Sequence, residues 1–180
     1  MSSRHLALLR GINVGGKHLL PMKDLAAMFE AAGASEVRTL IQSGNVVYKA
    51  DAELAQKIPS VVEAGIRKHF GFDAPVVARS GEAVAAAMDA SPFRARGVPE
   101  DVLHLMFLKD APTEDRVKAL GTSPFLPDDF ALDGDVVHLH LPNGVGRTKL
   151  TSAWFDGRLK TVGTLRNWAT MTKLRGMLEG

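Results

Sequence analysis

The order of strand and helix signals over residues 1–80 constrains this chain more than any other feature. Residues 5–12 (HLALLRGI) form an apolar run of strand length, followed by a glycine-rich loop. Pro21 then opens a helix over 21–32, with Leu25, Met28 and Phe29 at helical spacing and Gly33 as its stop. Residues 37–41 and 46–48 read as two strands joined by Ser43-Gly44-Asn45, the punctuation of a hairpin turn. A second helix over 52–70, interrupted or bent near Pro59, ends at Gly71, and 75–78 supplies a fourth strand. The order is βαββαβ, the ferredoxin-like pattern of an antiparallel sheet with both helices on one face.

Residues 81–180 are less regular. An alanine-rich helix (82–90) precedes a stretch with Pro and Gly, then a strand over 102–108 and a short helix over 113–120. Strands near 130–132 and 136–141 flank the turn Asp133-Gly134. Helices over 149–155 and 165–178 finish the chain, the last with Trp168, Met171, Leu174 and Leu178 as an apolar stripe that reads as core. No internal repeat or linker stands out. The expectation is an α+β protein in which a ferredoxin-like subdomain, 1–80, packs against a smaller α+β subdomain, 81–180.

What the chain lacks narrows its function. No apolar run approaches the roughly 20 residues a bilayer-crossing helix needs, so no membrane partner is expected. Residues 1–10 carry no long apolar core or small-residue cleavage site of a secretory signal. There is no cysteine, which removes disulfide, thiol and Cys-metal chemistry and fits a reducing cytoplasm. Net charge is only +2, but its distribution is uneven: residues 91–135 hold 5 Lys+Arg against 9 Asp+Glu, and 136–180 hold 7 against 2. A basic last quarter suits an anionic ligand as well as a solvated surface.

Three polar segments are candidates for chemistry. The loop from Arg10 to His18 (RGINVGGKH) satisfies G-x-x-x-x-G-K of the phosphate-cradling loop, yet His18 stands where that loop needs Ser or Thr, and Pro21 delays the helix. What remains is either an anion nest of exposed amides helped by Arg10 and Lys17, or a plain strand-to-helix turn. The stretch Asn143-Gly144-Val145-Gly146-Arg147-Thr148-Lys149 is expected to lead into a helix, where glycines and cations make a ready anion site and Thr148 is a candidate N-cap. Arg166, Thr170 and Lys173 would share one face of the last helix, facing a phosphate or water. His138 and His140 alternate along a strand and point to one side, but no third ligand accompanies them, so no metal is expected. No G-x-S-x-G elbow or spaced carboxylate pair marks a catalyst.

The blocks LLRGINVGGK, IQSGNVVY, LPNGVGRTKL and TLRNWATMTKL, in that order, resemble those of the bacterial family called domain of unknown function 1697. The chain departs from it at Leu165, where that family more often has Thr. The resemblance implies a cytoplasmic bacterial α+β protein with a ferredoxin-like first subdomain, and implies no activity or cofactor. Because these blocks are polar and glycine-rich where a purely structural signature would be apolar, they point to a site. The expectation is that Arg10, Asn13, Lys17, Ser43, Asn45, Arg147, Lys149, Arg166 and Asn167 line one or two clefts for a phosphate-bearing ligand: a nucleotide, a nucleic acid or a phosphorylated metabolite. The alternative is a protein-interaction or homo-oligomerisation domain without catalysis. Nothing in the sequence decides whether the chain is an enzyme.

Overall fold

The computed structural model describes residues 2–180, and the chain divides into two compact units, Met1–Ala85 together with Leu174–Gly180, and Ala86–Lys173. The first unit is built from β1 (Ser3–Leu9), α1 (Met22–Ala31), β2 (Ser35–Leu40), β3 (Asn45–Ala50), α2 (Ala52–Phe70) and β4 (Val76–Ser80), followed by α3 (Gly81–Asp89). Its sheet runs β2-β3-β1-β4 with every neighbouring pair antiparallel. This is the expected ferredoxin-like arrangement. Alternate residues of the strands, Ala7, Leu9, Val46, Tyr48 and Val76, meet Leu25 and Phe29 of α1 and Ile58, Val62 and Ile66 of α2 in one core. Each such fully buried aliphatic or aromatic side chain contributes roughly 1.5–3 kcal/mol.

Helix α2 passes Pro59 without the interruption that the sequence suggested. Proline removes one backbone hydrogen bond, but the stripe Ile58, Val62, Ile66 is buried on both sides of it and holds the helix to the sheet. Both ends are capped. The Asp51 carboxylate accepts the Leu54 N–H at 2.8 Å, and Gly71 closes the helix at φ +77°.

The second unit holds α4 (Pro92–Ala95), a 3-10 turn (Glu100–Val102), β5 (Leu103–Leu108), α5 (Glu114–Leu120), β6 (Asp129–Asp133), β7 (Val136–His140), α6 (Ser152–Leu159), β8 (Gly163–Asn167) and the first part of α7 (Trp168–Glu179), whose residues from Leu174 on belong to the first unit. Its sheet order is β6-β7-β5-β8, again all antiparallel. With β5, α5, β6, β7, α6 and β8 in place of β1, α1, β2, β3, α2 and β4, it repeats the first unit's topology. Its core gathers Met106, Leu108, Val137, Leu139, Phe155 and Leu159.

Two expectations are corrected here. Residues 163–167 form strand β8, so Arg166 stands on a strand and does not share a helix face with Thr170 and Lys173. The helix expected from residue 149 begins at Ser152 and is capped by Thr151, whose hydroxyl accepts the Trp154 N–H at 3.2 Å. The Thr148 hydroxyl instead accepts the Leu150 N–H, closing a local turn.

The sequence also carries a repeat that passes unnoticed in a linear reading. His5-Leu6 and Leu9-Arg10 correspond to His104-Leu105 and Leu108-Lys109, and Arg79-Ser80 to Arg166-Asn167, because the ladder pairs His5 with Ser80 and His104 with Asn167 in matching registers. The correspondence reaches the strand ends. Leu9 N–H donates to the Gly44 carbonyl and Leu108 N–H to the Asp135 carbonyl, both at 2.8 Å.

Candidate functional site

In the first unit, antiparallel pairing of β1 with β3 sets Leu8 opposite Asn45, so the loop after β1 and the β2–β3 hairpin meet at one end of the sheet. Asn13 ties them together. At φ +54° it donates from Nδ2 to the carbonyls of Leu20 (2.9 Å) and Gln42 (2.8 Å) and accepts the Leu20 N–H (2.8 Å) at Oδ1, a left-handed position that Asn tolerates. Gly15 and Gly16, both at positive φ, form the tight turn in which the Lys17 N–H donates to the Val14 carbonyl at 3.0 Å, the signature of a type I′ turn. That closure directs the Lys17 amide to the protein's own backbone. His18 donates from Nδ1 to the Gly11 carbonyl (2.9 Å) and stacks on Phe72 at 4.6 Å.

The hairpin residues are also engaged. Asn45 is fully buried and donates to the Leu40 carbonyl (3.0 Å) and to the Ser43 hydroxyl (2.9 Å). Gly44 lies at φ +75°, where an added Cβ would sit 2.7 Å from Leu9 Cβ and 2.9 Å from Ile12 Cδ1, so no other residue fits. Arg10 is half-buried with its N–H on the Pro75 carbonyl at 3.0 Å. Lys17 is exposed, and its ammonium forms no hydrogen bond or ion pair with a described residue. Of the five candidates in this unit, Asn13, Ser43 and Asn45 therefore have clear structural work.

The second unit is arranged differently. An open cleft of about 370 Å³ is lined by Pro124, Phe125, Leu126, Pro127, Asp128, Asn143, Arg147 and Lys149. Arg147 and Lys149 are exposed, and neither is paired with a carboxylate among the described residues; Lys149 Nζ lies 5.7 Å from the centre of the Phe125 ring. Phe125 and Leu126, the latter 77% exposed, give the cleft an apolar wall. Asp128 contrasts with its surroundings. It is only 7% exposed, and its Oδ1 accepts no hydrogen bond from any described residue. A buried acceptor left in that state costs about 1–3 kcal/mol. Backbone contacts fix its position: Asp128 N–H donates to the Phe125 carbonyl at 3.1 Å, and the Ser123 hydroxyl donates to the Asp128 carbonyl.

Arg166 and Asn167 end strand β8, at the same end of the sheet as the start of β6 but on the opposite edge. The Arg166 guanidinium donates to the Thr164 hydroxyl (3.0 Å) and the Leu165 carbonyl (2.8 Å), and burial pulls its pKa down to about 10. Arg79 makes the matching bond to the Ala78 carbonyl at 2.7 Å in the first unit. Asn167 accepts the Thr170 N–H at 2.8 Å and so caps α7. The cleft thus brings Arg147 and Lys149 together without Arg166 or Asn167.

Asp128 escaped sequence reasoning because nothing distinguishes it from Asp129, and only tertiary packing decides which of the two is buried. Asn143 stood within a stretch already singled out. The histidines of the strands are interior groups. Desolvation holds His5, His104 and His138 below their ordinary value, opposed for His138 by the Asp133 charge. Among the described residues no three His, Asp or Glu side chains are grouped to hold a metal ion, and no helix is long and apolar enough to cross a membrane.

Comparison with known proteins agrees with the architecture. The conserved bacterial protein SP0830 from Streptococcus pneumoniae has a similar solved structure, with a TM-score of 0.75 over 99% of both chains at 21% identity, a likeness of fold alone. No curated protein matches the sequence. A family model described as a protein of unknown function, DUF1697, matches residues 2–138, a span that takes in LLRGINVGGK and IQSGNVVY and stops short of the blocks at 141–150 and 164–174. With well over half of its residues matched, the chain belongs to the DUF1697 family of proteins of unknown function.

Proposed function

We propose that this protein binds a small phosphate-bearing ligand in the cleft of its second unit, with Arg147 and Lys149 as the phosphate-holding cations and Asn143 as an added hydrogen-bonding group. The observation that carries this reading is the pair of cations lining one cleft with no carboxylate partner among the described residues. Cations on a protein surface are commonly tied to acidic neighbours, as Arg4 and Lys49 both are to Glu36. Here two remain available beside an apolar wall. The volume lies near the low end of the ~300–1,000 Å³ typical of small-molecule sites, which favours a phosphorylated metabolite over a nucleic acid strand. Strand binding also draws on exposed stacking surfaces, and Phe125 is the one aromatic side chain lining this cleft.

Titration with ethyl phosphate at low and high salt, followed by amide NMR shifts, tests the reading. Binding at low salt that weakens as salt rises, with shifts at residues 125–128 and 143–149, is expected. The Arg147→Ala, Lys149→Ala double variant is expected to lose at least about tenfold in affinity, each charge-assisted contact contributing roughly 1.5–3 kcal/mol. Absence of binding at low salt contradicts the proposal.

A further inference from the structure

The cleft contains a carboxylate that a simple phosphate would not explain. Asp128 is more than nine-tenths buried, it lines the same cleft as Arg147 and Lys149, and its Oδ1 has no donor among the described residues. Neither cation comes within ion-pairing distance of it. Resting on the reading above, we propose that this site takes a phosphate ester that also bears a primary ammonium group, the phosphate meeting Arg147 and Lys149 and the ammonium meeting Asp128.

The chemistry follows from what each group lacks. A carboxylate withdrawn from water needs both a hydrogen-bond donor and a compensating positive charge. A hydroxyl supplies only the first; an ammonium supplies both. Were the site made for phosphate alone, a buried negative group along its wall would oppose the ligand by like-charge repulsion. A ligand with both charges removes that conflict, since opposite ends of one small molecule meet opposite charges of the protein. Two bonds hold the Asp128 backbone before the ligand arrives: its N–H donates to the Phe125 carbonyl, and its carbonyl accepts from the Ser123 hydroxyl.

Three probes of nearly equal size separate the outcomes: 2-aminoethyl phosphate, 2-hydroxyethyl phosphate and ethyl phosphate, titrated calorimetrically into the intact protein and into Asp128→Asn. The amine is expected to bind at least about tenfold more tightly than ethyl phosphate, equivalent to ~1.4 kcal/mol. Asp128→Asn should abolish that advantage while leaving ethyl phosphate affinity unchanged or improved. Equal binding of all three overturns the ammonium assignment and leaves the phosphate reading standing. A preference for the hydroxyl ester over the amine overturns it as well. Binding of none overturns the phosphate reading, and this inference with it. If Asp128→Asn fails to fold, the ranking of the three probes on the unaltered protein still decides.

Discussion

The two units share one topology but place their long loops at different junctions. In the first, twelve residues separate β1 from α1 while Asp51 alone separates β3 from α2. In the second, β5 is followed closely by α5, and the long connection runs from Leu141 to Thr151 between β7 and α6. The strands between are nearly interchangeable, down to Arg10 N–H on the Pro75 carbonyl and Lys109 N–H on that of Val162. Both long loops are glycine-rich and polar, yet they differ in what their side chains touch. The loop at 10–18 is closed on itself and on the hairpin by Asn13 and a Gly-Gly turn. The loop at 143–149 leaves its cations facing a cleft. Repetition of a scaffold fixes where the core lies, and departures from the repeat are where binding groups are free to be placed.

Substitution of glycines at the strand ends should separate the units most sharply. Gly44→Ala places a Cβ 2.7 Å from Leu9 Cβ at positive φ, and a loss of about 3 kcal/mol is expected in urea unfolding. Gly163→Ala meets mainly the flexible Met106 side chain, with Sδ at 2.5 Å, so a loss nearer ~1 kcal/mol is expected. Equal losses would break the contrast between a rigid and a yielding neighbour.

Asn13→Ala removes three hydrogen bonds, and should cost about 2 kcal/mol while leaving phosphate affinity intact. A variant that kept its stability but lost ligand would move the site to the first unit.

The pH dependence is shared between the units, with His5 in one and His104 and His138 in the other. Burial lowers all three, so the folded protein holds them neutral while the unfolded chain takes up protons below about pH 6.5. Their stabilising effect is therefore full above that pH and is lost as pH falls through the lowered folded-state values. Thermal melts between pH 7.5 and 5 should show declining stability, with a shallower decline in His138→Leu.

Much of the first unit was legible because punctuation and periodicity agree there: Gly33, Gly44 and Gly71 each sit where a helix or hairpin must turn. The meeting of loop and hairpin was not read from the sequence, although the ferredoxin order, with β1 antiparallel to β3, entails it. Strand β8 was obscured because the apolar spacing of Trp168, Met171 and Leu174 invites extension of the helix backward through Arg166. Asn167, a favoured N-cap residue, was the readable boundary. Similarly Thr148 and Thr151 are both chemically fit to cap α6, and only the backbone path chooses Thr151. Of the candidate site, Arg147 and Lys149 were visible as cations in a glycine-rich stretch. That the side chain of Asn13 turns inward depends in part on the Gln42 carbonyl far along the chain, which no local pattern announces.

The smallest stability effect carries the sharpest functional contrast. Arg147→Ala and Lys149→Ala remove exposed charges without ion-pair partners among the described residues, so each should change unfolding free energy by no more than about 0.5 kcal/mol. The most direct test of the account follows residue-resolved amide shifts as ethyl phosphate is added to the unaltered protein at low salt. Saturable shifts confined to 125–128 and 143–149, absent in the double variant, are the result this account expects. Shifts centred on 10–18 and 42–45 instead, or no saturable shift anywhere, would contradict it.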